Sequence, residues 1–315
     1  MRIAVLEQPG RFELVDEPIP SVGPGEVLLR VAACGVCASE LDMFEGLAGH
    51  AQFPWYPGHE VSGNVVEVGD EVVGLKQGDP VAAWVTTRGF AEYVAVKADF
   101  CFPATDMPLE LALGEPLACA VNAVELAEVR LGDDVVIIGA GFMGHLVHKL
   151  VELKGPRQVI VADTRPDALE RALSFGASSV VDVSKASLTD AVAGATGGAG
   201  SDVTFEVTGV QAPLEVVGEV TRMSGTLAIV GYHQGQPRSI PLAEWNWKAL
   251  RIANAPFRDV GTILGGMRTG MRLLSAGRIT LEELVTHRFP FDDIEGAFQA
   301  SLDKPPGFVK ATVFT

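Results

Sequence analysis

Three short runs dominate the first hundred residues: Val27-Leu28-Leu29-Arg30-Val31, Val61 to Val68, and Phe90-Ala91-Glu92-Tyr93-Val94-Ala95-Val96. Each is β-branched or alternates apolar with polar positions, and Gly23-Pro24-Gly25, Gly69-Asp70 and Gly78-Asp79-Pro80 punctuate them as turns. Short strands with Gly/Pro corners predict a β-rich barrel or sandwich. The pattern changes near Glu115-Pro116. A helical spacing over 117–129 leads to an apolar strand at 134–138, a glycine turn, and a helix over 145–154. A strand at 158–162, a helix at 166–175 and strands at 179–183, 203–207 and 226–230 follow, with a helix starting near Pro213 between the last two. Alternation of strand and helix predicts right-handed βαβ units on a parallel sheet. Beyond residue 253 the pattern predicts a long amphipathic helix over 260–276 and a final strand at 309–314.

The turn after the strand at 134–138 reads Gly139-Ala140-Gly141-Phe142-Met143-Gly144, a G-x-G-x-x-G between strand and helix. Gly139 permits the tight turn, Gly141 lets backbone amides approach a pyrophosphate, and Gly144 lets the helix pack close to the strand. The helix start, with Phe142 and Met143, offers N–H groups and a partial positive charge to phosphates. Asp163 closes the next strand 22 positions after Gly141, where a carboxylate accepts from a free ribose 2′-OH and repels a 2′-phosphate. NAD is therefore expected over NADP, with Arg165 close enough to soften that repulsion.

Composition narrows the setting. The chain has 315 residues, enough for about two domains at roughly 150 each. Its 40 acidic and 24 basic residues give a net charge of −16, which disfavours a nucleic-acid partner. No run approaches the roughly 18 apolar residues of a membrane span, the N-terminus does not read as a signal peptide, and four scattered cysteines make no disulfide framework. A cytoplasmic protein with reduced thiols is expected.

Three further motifs precede the glycine turn: Cys34-Gly35-Val36-Cys37-Ala38-Ser39-Glu40, Pro57-Gly58-His59-Glu60 and Gly114-Glu115-Pro116-Leu117. In this order the chain resembles the zinc-dependent medium-chain dehydrogenase/reductase family, and its Glu-Pro-Leu resembles the sorbitol (polyol), threonine and glucose dehydrogenase branch. The resemblance spans essentially the whole chain. It implies a GroES-like catalytic domain of residues 1–116 with 254–315, and a Rossmann NAD-binding domain of residues 117–253. It also implies one catalytic Zn2+ held by Cys37, His59 and Glu60, with Glu115 as a further ligand or near-ligand. Thiolate, imidazole and carboxylate are what a borderline-soft divalent ion takes, one tetrahedral position staying open. The implied chemistry is oxidation of a secondary alcohol of a polyol, cyclitol or sugar-like compound to its ketone. The metal lowers the alcohol's pKa, hydride passes to NAD, and Ser39 begins the proton relay. Lys310, in Gly307-Phe308-Val309-Lys310-Ala311, matches a basic residue near the cofactor phosphates, and the resemblance further implies a homodimer or homotetramer.

The chain departs from the family in three places. Position 40 is Glu where Asp is usual, and position 42 is Asp where many relatives carry a relay His; His50 lies nearby. The four-cysteine lobe that holds a structural zinc in relatives is replaced by Val85, Thr86, Thr87 and Arg88 alone, so at most one metal per subunit is expected. That deletion keeps a metal-free quinone or enoyl reductase in view, and the changes at 40 and 42 keep a catalytically silent NAD-binding protein in view. Cys34, Cys101 and Cys119 read as packed thiols. His145 and His148 lie on the helix after the glycine turn, within reach of cofactor or solvent, and His233-Gln234 read equally as a polar turn or as a contact to nicotinamide or substrate.

Overall fold

A computed structural model describes residues 1–47, 52–256 and 259–315, so His50 lies outside the described residues. The chain forms two compact units, Met1–Ala118 with Ile263–Thr315, and Cys119–Thr262.

The first unit opens with the antiparallel hairpin β1 (Arg2–Gln8) and β2 (Arg11–Asp16). Next come β3 (Glu26–Gly35), α1 (Ala38–Phe44), β4 (Glu60–Val68), β5 (Pro80–Trp84), β6 (Tyr93–Lys97), β7 (Cys101–Pro103) and the start of α2 (Gly114–Ala127), whose residues from Cys119 onward belong to the second unit. The apolar run in β3 is buried along most of its length because antiparallel neighbours, β4 and β6, flank it on both sides. The turn at 85–88 is pinned to the same unit by Arg88, whose guanidinium lies 4.0 Å over the Tyr56 ring and pairs with Glu17.

The second unit carries β8 (Asp134–Ile138), α3 (Phe142–Glu152), β9 (Gln158–Asp163), α4 (Pro166–Ser174), β10 (Ser179–Asp182), α5 (Leu188–Ala195) and β11 (Ser201–Glu206). It continues through α6 (Gln211–Val220), β12 (Thr221–Ile229), α7 (Leu242–Trp247) and β13 (Arg251–Asn254). All pairings are parallel, in the order β10-β9-β8-β11-β12-β13. The chain leaves β8 toward β9 and later returns to the other side of β8 with β11. That reversal creates a switch point at the carboxyl ends of β8 and β11, where doubly wound sheets bind ligands. Trp245 from α7 packs in the core of this unit.

Two histidines on α3 are wholly enclosed. His145 and His148 have no exposed surface, so neither meets solvent. The His145 ring stands edge-on to Phe175, 5.2 Å away, and neither of its nitrogens has a hydrogen-bond partner.

The chain then passes through α8 (Val260–Ser275), β14 (Val285–Pro290), α9 (Ile294–Asp303) and β15 (Lys310–Phe314). β15 pairs with β14 and, antiparallel, with β3, completing a seven-stranded sheet in the first unit. Phe298 of α9 sits 4.9 Å from Phe12, 5.3 Å from Phe44 and 5.6 Å from Phe90, a ring cluster that ties the C-terminal segment to the hairpin and α1. The architecture is the expected one: a β-rich GroES-like unit and a Rossmann parallel-sheet unit. Among the described residues no helix is long and apolar enough to cross a membrane.

Candidate metal centre and dinucleotide site

Cys37, His59 and Glu60 converge in the first unit although the first two are 22 positions apart. One ligand atom from each lies within 4.8 Å of the others. Cys37 sits where β3 has ended and α1 begins, at its N-cap, and His59 and Glu60 lie where the chain enters β4. The turn between Pro57 and His59 works only with glycine. Gly58 has φ of 102°, and a Cβ there would come within 2.5 Å of the Phe90 backbone nitrogen.

Glu40 holds the donors in place. One of its oxygens accepts from Gly58 N at 2.7 Å and lies 3.0 Å from His59 Nδ1. The other accepts from Cys37 N at 3.3 Å, closing the first turn of α1. With Nδ1 engaged by Glu40, Nε2 is the imidazole nitrogen left for a metal. Glu at position 40 thus performs the orienting job expected of the shorter Asp. Ser39 Oγ donates to Cys37 Sγ at 3.2 Å, which places its hydroxyl beside the sulfur.

The centre is charged and enclosed. Burial works against a charge on His59, but Glu40 and the Cys37 sulfur outweigh it and raise its pKa well above the usual imidazole value. Glu60 is 1% exposed, and Lys310 Nζ lies 2.8 Å from its Oε1 and 2.7 Å from its Oε2. Only Oε1 receives a well-directed hydrogen bond, so buried Oε2 is left without one. A soft thiolate, an imidazole with one nitrogen already oriented, and a buried carboxylate fit a zinc ion. β3 leaves room for this pair at Gly35, where a Cβ would collide with Glu60 Oε2.

Lys310, expected from the sequence near the cofactor phosphates, lies in this structure beside Glu60. Its ammonium is buried against Glu60 and also donates to the Val36 carbonyl at 2.8 Å. Burial disfavours the charge, yet Glu60, Cys37 and Glu115 more than offset that and raise its pKa. Moving the amine out to a phosphate would strand Glu60 as an unpaired buried charge, which is costly. Glu115, at the start of α2, stands outside the three-residue cluster and acts on Lys310 by its charge. Neither residue's position was legible from spacing, since Lys310 lies 250 positions from Glu60. Cys34 is buried, and desolvation raises its thiol pKa well above the ordinary range; burial likewise pushes Cys101 up to about 12.

In the second unit, the glycine turn has the geometry its motif implies. Gly139 has φ of 109°, and at Gly144 a Cβ would strike the Gly139 carbonyl, so helix and turn meet backbone to backbone. Gly141 is the N-cap of α3, and half-buried Phe142 and Met143 form its first turn. Asp163 anchors this turn as well as facing it. Its Oδ2 accepts from Ala140 N at 2.7 Å and its Oδ1 from Arg165 N at 2.9 Å. Arg165 Nε lies 3.5 Å from Asp163, and another guanidinium nitrogen donates to the Ala140 carbonyl at 3.3 Å. Sequence reasoning missed a buried acid at the end of β11, Glu206, which accepts from Thr208 N and Gly209 N at 2.7 and 3.1 Å. The only local signal was a carboxylate at the strand's end, directly after Phe205.

Comparison with known proteins agrees with this geometry. Residues 23–106 match the alcohol dehydrogenase GroES-like domain, and residues 143–272 match the zinc-binding dehydrogenase family. The chain is 30% identical to sorbitol dehydrogenase 1 of Saccharomyces cerevisiae, over 98% of this chain and 97% of that protein. Among solved structures it is similar to galactitol-1-phosphate dehydrogenase from Escherichia coli, with TM-score 0.89, 26% identity and full coverage of both chains. It is also similar to a putative zinc-binding dehydrogenase from Sinorhizobium meliloti 1021 bound to NADP, with TM-score 0.86, 25% identity and coverage of 100% and 99%.

Proposed function

The chain belongs to the zinc-binding alcohol dehydrogenase family, the medium-chain dehydrogenases/reductases, and on that premise we propose that it interconverts a secondary alcohol and its ketone using NAD(H) and one Zn2+. The observation that carries this reading is the convergence of Cys37, His59 and Glu60 within 4.8 Å. The first unit is then the catalytic domain and the second the NAD-binding domain. A zinc held by Cys37, His59 and Glu60 would supply Lewis acidity that lowers the pKa of an alcohol, and a nicotinamide would supply the hydride acceptor.

The chain's own residues do the rest. Glu40 orients His59, and Lys310 offsets the negative charge gathered by Cys37, Glu60 and Glu115. Ser39 Oγ, beside Cys37 Sγ, takes the departing proton as the first member of a relay. Asp163 selects NAD by accepting from the ribose diol, and the α3 N-terminus with Gly139, Gly141, Phe142, Met143 and Gly144 receives the pyrophosphate. The substrate class is a polyol, cyclitol or sugar-like alcohol, on the similarity to sorbitol and galactitol-1-phosphate dehydrogenases. The assembly is a symmetric homodimer or homotetramer.

The test combines metal analysis with a substrate panel. Protein purified without chelator is expected to hold one zinc per subunit and to oxidise a polyol with NAD. His59→Ala is expected to abolish both. Full activity at substoichiometric metal, or turnover only on simple alcohols or with NADP, would overturn this reading.

A further inference from the structure

The switch point in the second unit holds a hydrogen-bonded trio that the dinucleotide motif does not include. Glu206 is the last residue of β11, pairs in register with Ile138 at the end of β8, and is fully buried. One carboxylate oxygen accepts from Thr208 N, Gly209 N and the Thr208 hydroxyl. The other lies 2.8 Å from His233 Nε2, on the loop after β12. Arg238 Nε donates to His233 Nδ1 at 3.4 Å, and its other nitrogen donates to the Gly209 and Gln234 carbonyls at 3.2 Å each. Nε2 of the ring faces the carboxylate and Nδ1 faces the guanidinium, so the imidazole bridges Glu206 and Arg238.

These bonds fasten two loops that leave adjacent parallel strands at their carboxyl ends. Gly231 lets the loops touch backbone to backbone: a Cβ there would collide with Gly209 N and come 2.6 Å from Glu206 Oε2. On the other side, a Cβ at Gly139 would meet Thr208 at 2.9 Å, so the 208–209 segment borders the glycine turn directly. Above the pinned backbone, Val210 is 53% and Tyr232 47% exposed. A buried carboxylate such as Glu206 is weak evidence for stability by itself, because removing a charge from water is costly. Its position suits fixing backbone groups at a ligand-binding edge.

We propose that Glu206, His233 and Arg238 are positioning residues that hold the 208–210 and 231–234 loops as a preformed seat for the nicotinamide half of the dinucleotide. This rests on the nicotinamide-cofactor reading above. The adenosine half is left to the α3 N-terminus and Asp163, on the far side of β8. The trio therefore acts on one end of the cofactor and not on the other.

The experiment titrates NADH by fluorescence and ADP-ribose, which lacks the nicotinamide, by calorimetry. With His233→Ala, NADH binding is expected to weaken at least about tenfold while ADP-ribose binding changes by less than about twofold. His233→Gln, whose amide N–H can still reach Glu206, is expected to recover most of the loss. Arg238→Gln is run in parallel as a milder variant in case His233→Ala does not fold, with the same selective loss expected. Unchanged NADH binding in the folded variants, or equal weakening of both ligands, overturns the proposal. Failure of the unsubstituted chain to bind either ligand would instead overturn the cofactor reading.

Discussion

His145 and His148 make the NAD-binding unit sensitive to acid in a way that can be worked out in advance. Burial, reinforced for His145 by Arg171, His148, Arg165 and Lys149, lowers His145 from 6.5 to about 3. Burial, with Lys149 adding to it, lowers His148 from 6.5 to about 4. Both folded-state values lie below the unfolded one, so between them the unfolded chain binds more protons. Stability is therefore complete above about pH 6.5 and falls as the pH drops toward 4. The slope is about 1.4 kcal/mol per pH unit for each imidazole. Going from pH 7.5 to 5 then removes about 2 kcal/mol per histidine, about 4 kcal/mol together, a large share of a typical domain's stability. Urea unfolding at several pH values, followed through Trp245 in the core of the same unit, measures it. His145→Leu removes the titrating ring together with two unpartnered nitrogens. It is expected to lose nothing at pH 7.5 and about 2 kcal/mol less than the parent at pH 5. Carboxylates and His59 titrate in both proteins, so the difference between them isolates the imidazole. If the two lose equal stability between pH 7.5 and 5, His145 is not a neutral buried base and the reasoning fails.

Other substitutions probe the two candidate sites. Lys310→Met strands the buried Glu60 carboxylate and is expected to cost about 3–5 kcal/mol in metal-free protein, with zinc restoring part of it; thermal unfolding with and without zinc reads this, and an unchanged melting temperature counts against the pair. Gly58→Ala forces a Cβ toward Phe90 N at a φ of 102°, so zinc stoichiometry by mass spectrometry should drop and stability should fall by about 2 kcal/mol or more. Asp163→Asn keeps the shape but removes the charge facing Arg165; NADH is expected to bind about tenfold more weakly and the NADPH-to-NADH preference to rise, as fluorescence titration would show. A preference that stays fixed would take cofactor selection away from Asp163.

Short-range pattern decided the framework of this protein. The apolar run at 134–138, the glycine turn and the helix behind it appear in the structure at β8, Gly139–Gly144 and α3, because strand, turn and helix are set by neighbours a few residues apart. The pattern did not show α1. Its seven residues are too few for a 3.6-residue period to stand out, and what starts it is Glu40 reaching back to Cys37 N. Nor could spacing show that Glu40 also holds His59, that Lys310 belongs to Glu60, that His145 and His148 are sealed from solvent, or that His233 locks onto Glu206. Each of these partnerships depends on register between strands or on which face of a helix turns inward. Residues far apart in sequence become neighbours only once the sheets have closed. The residue types for metal and dinucleotide chemistry were written in the chain; the choice of which acid meets which base was made by the tertiary fold, because buried charges settle only where packing brings their partners within reach.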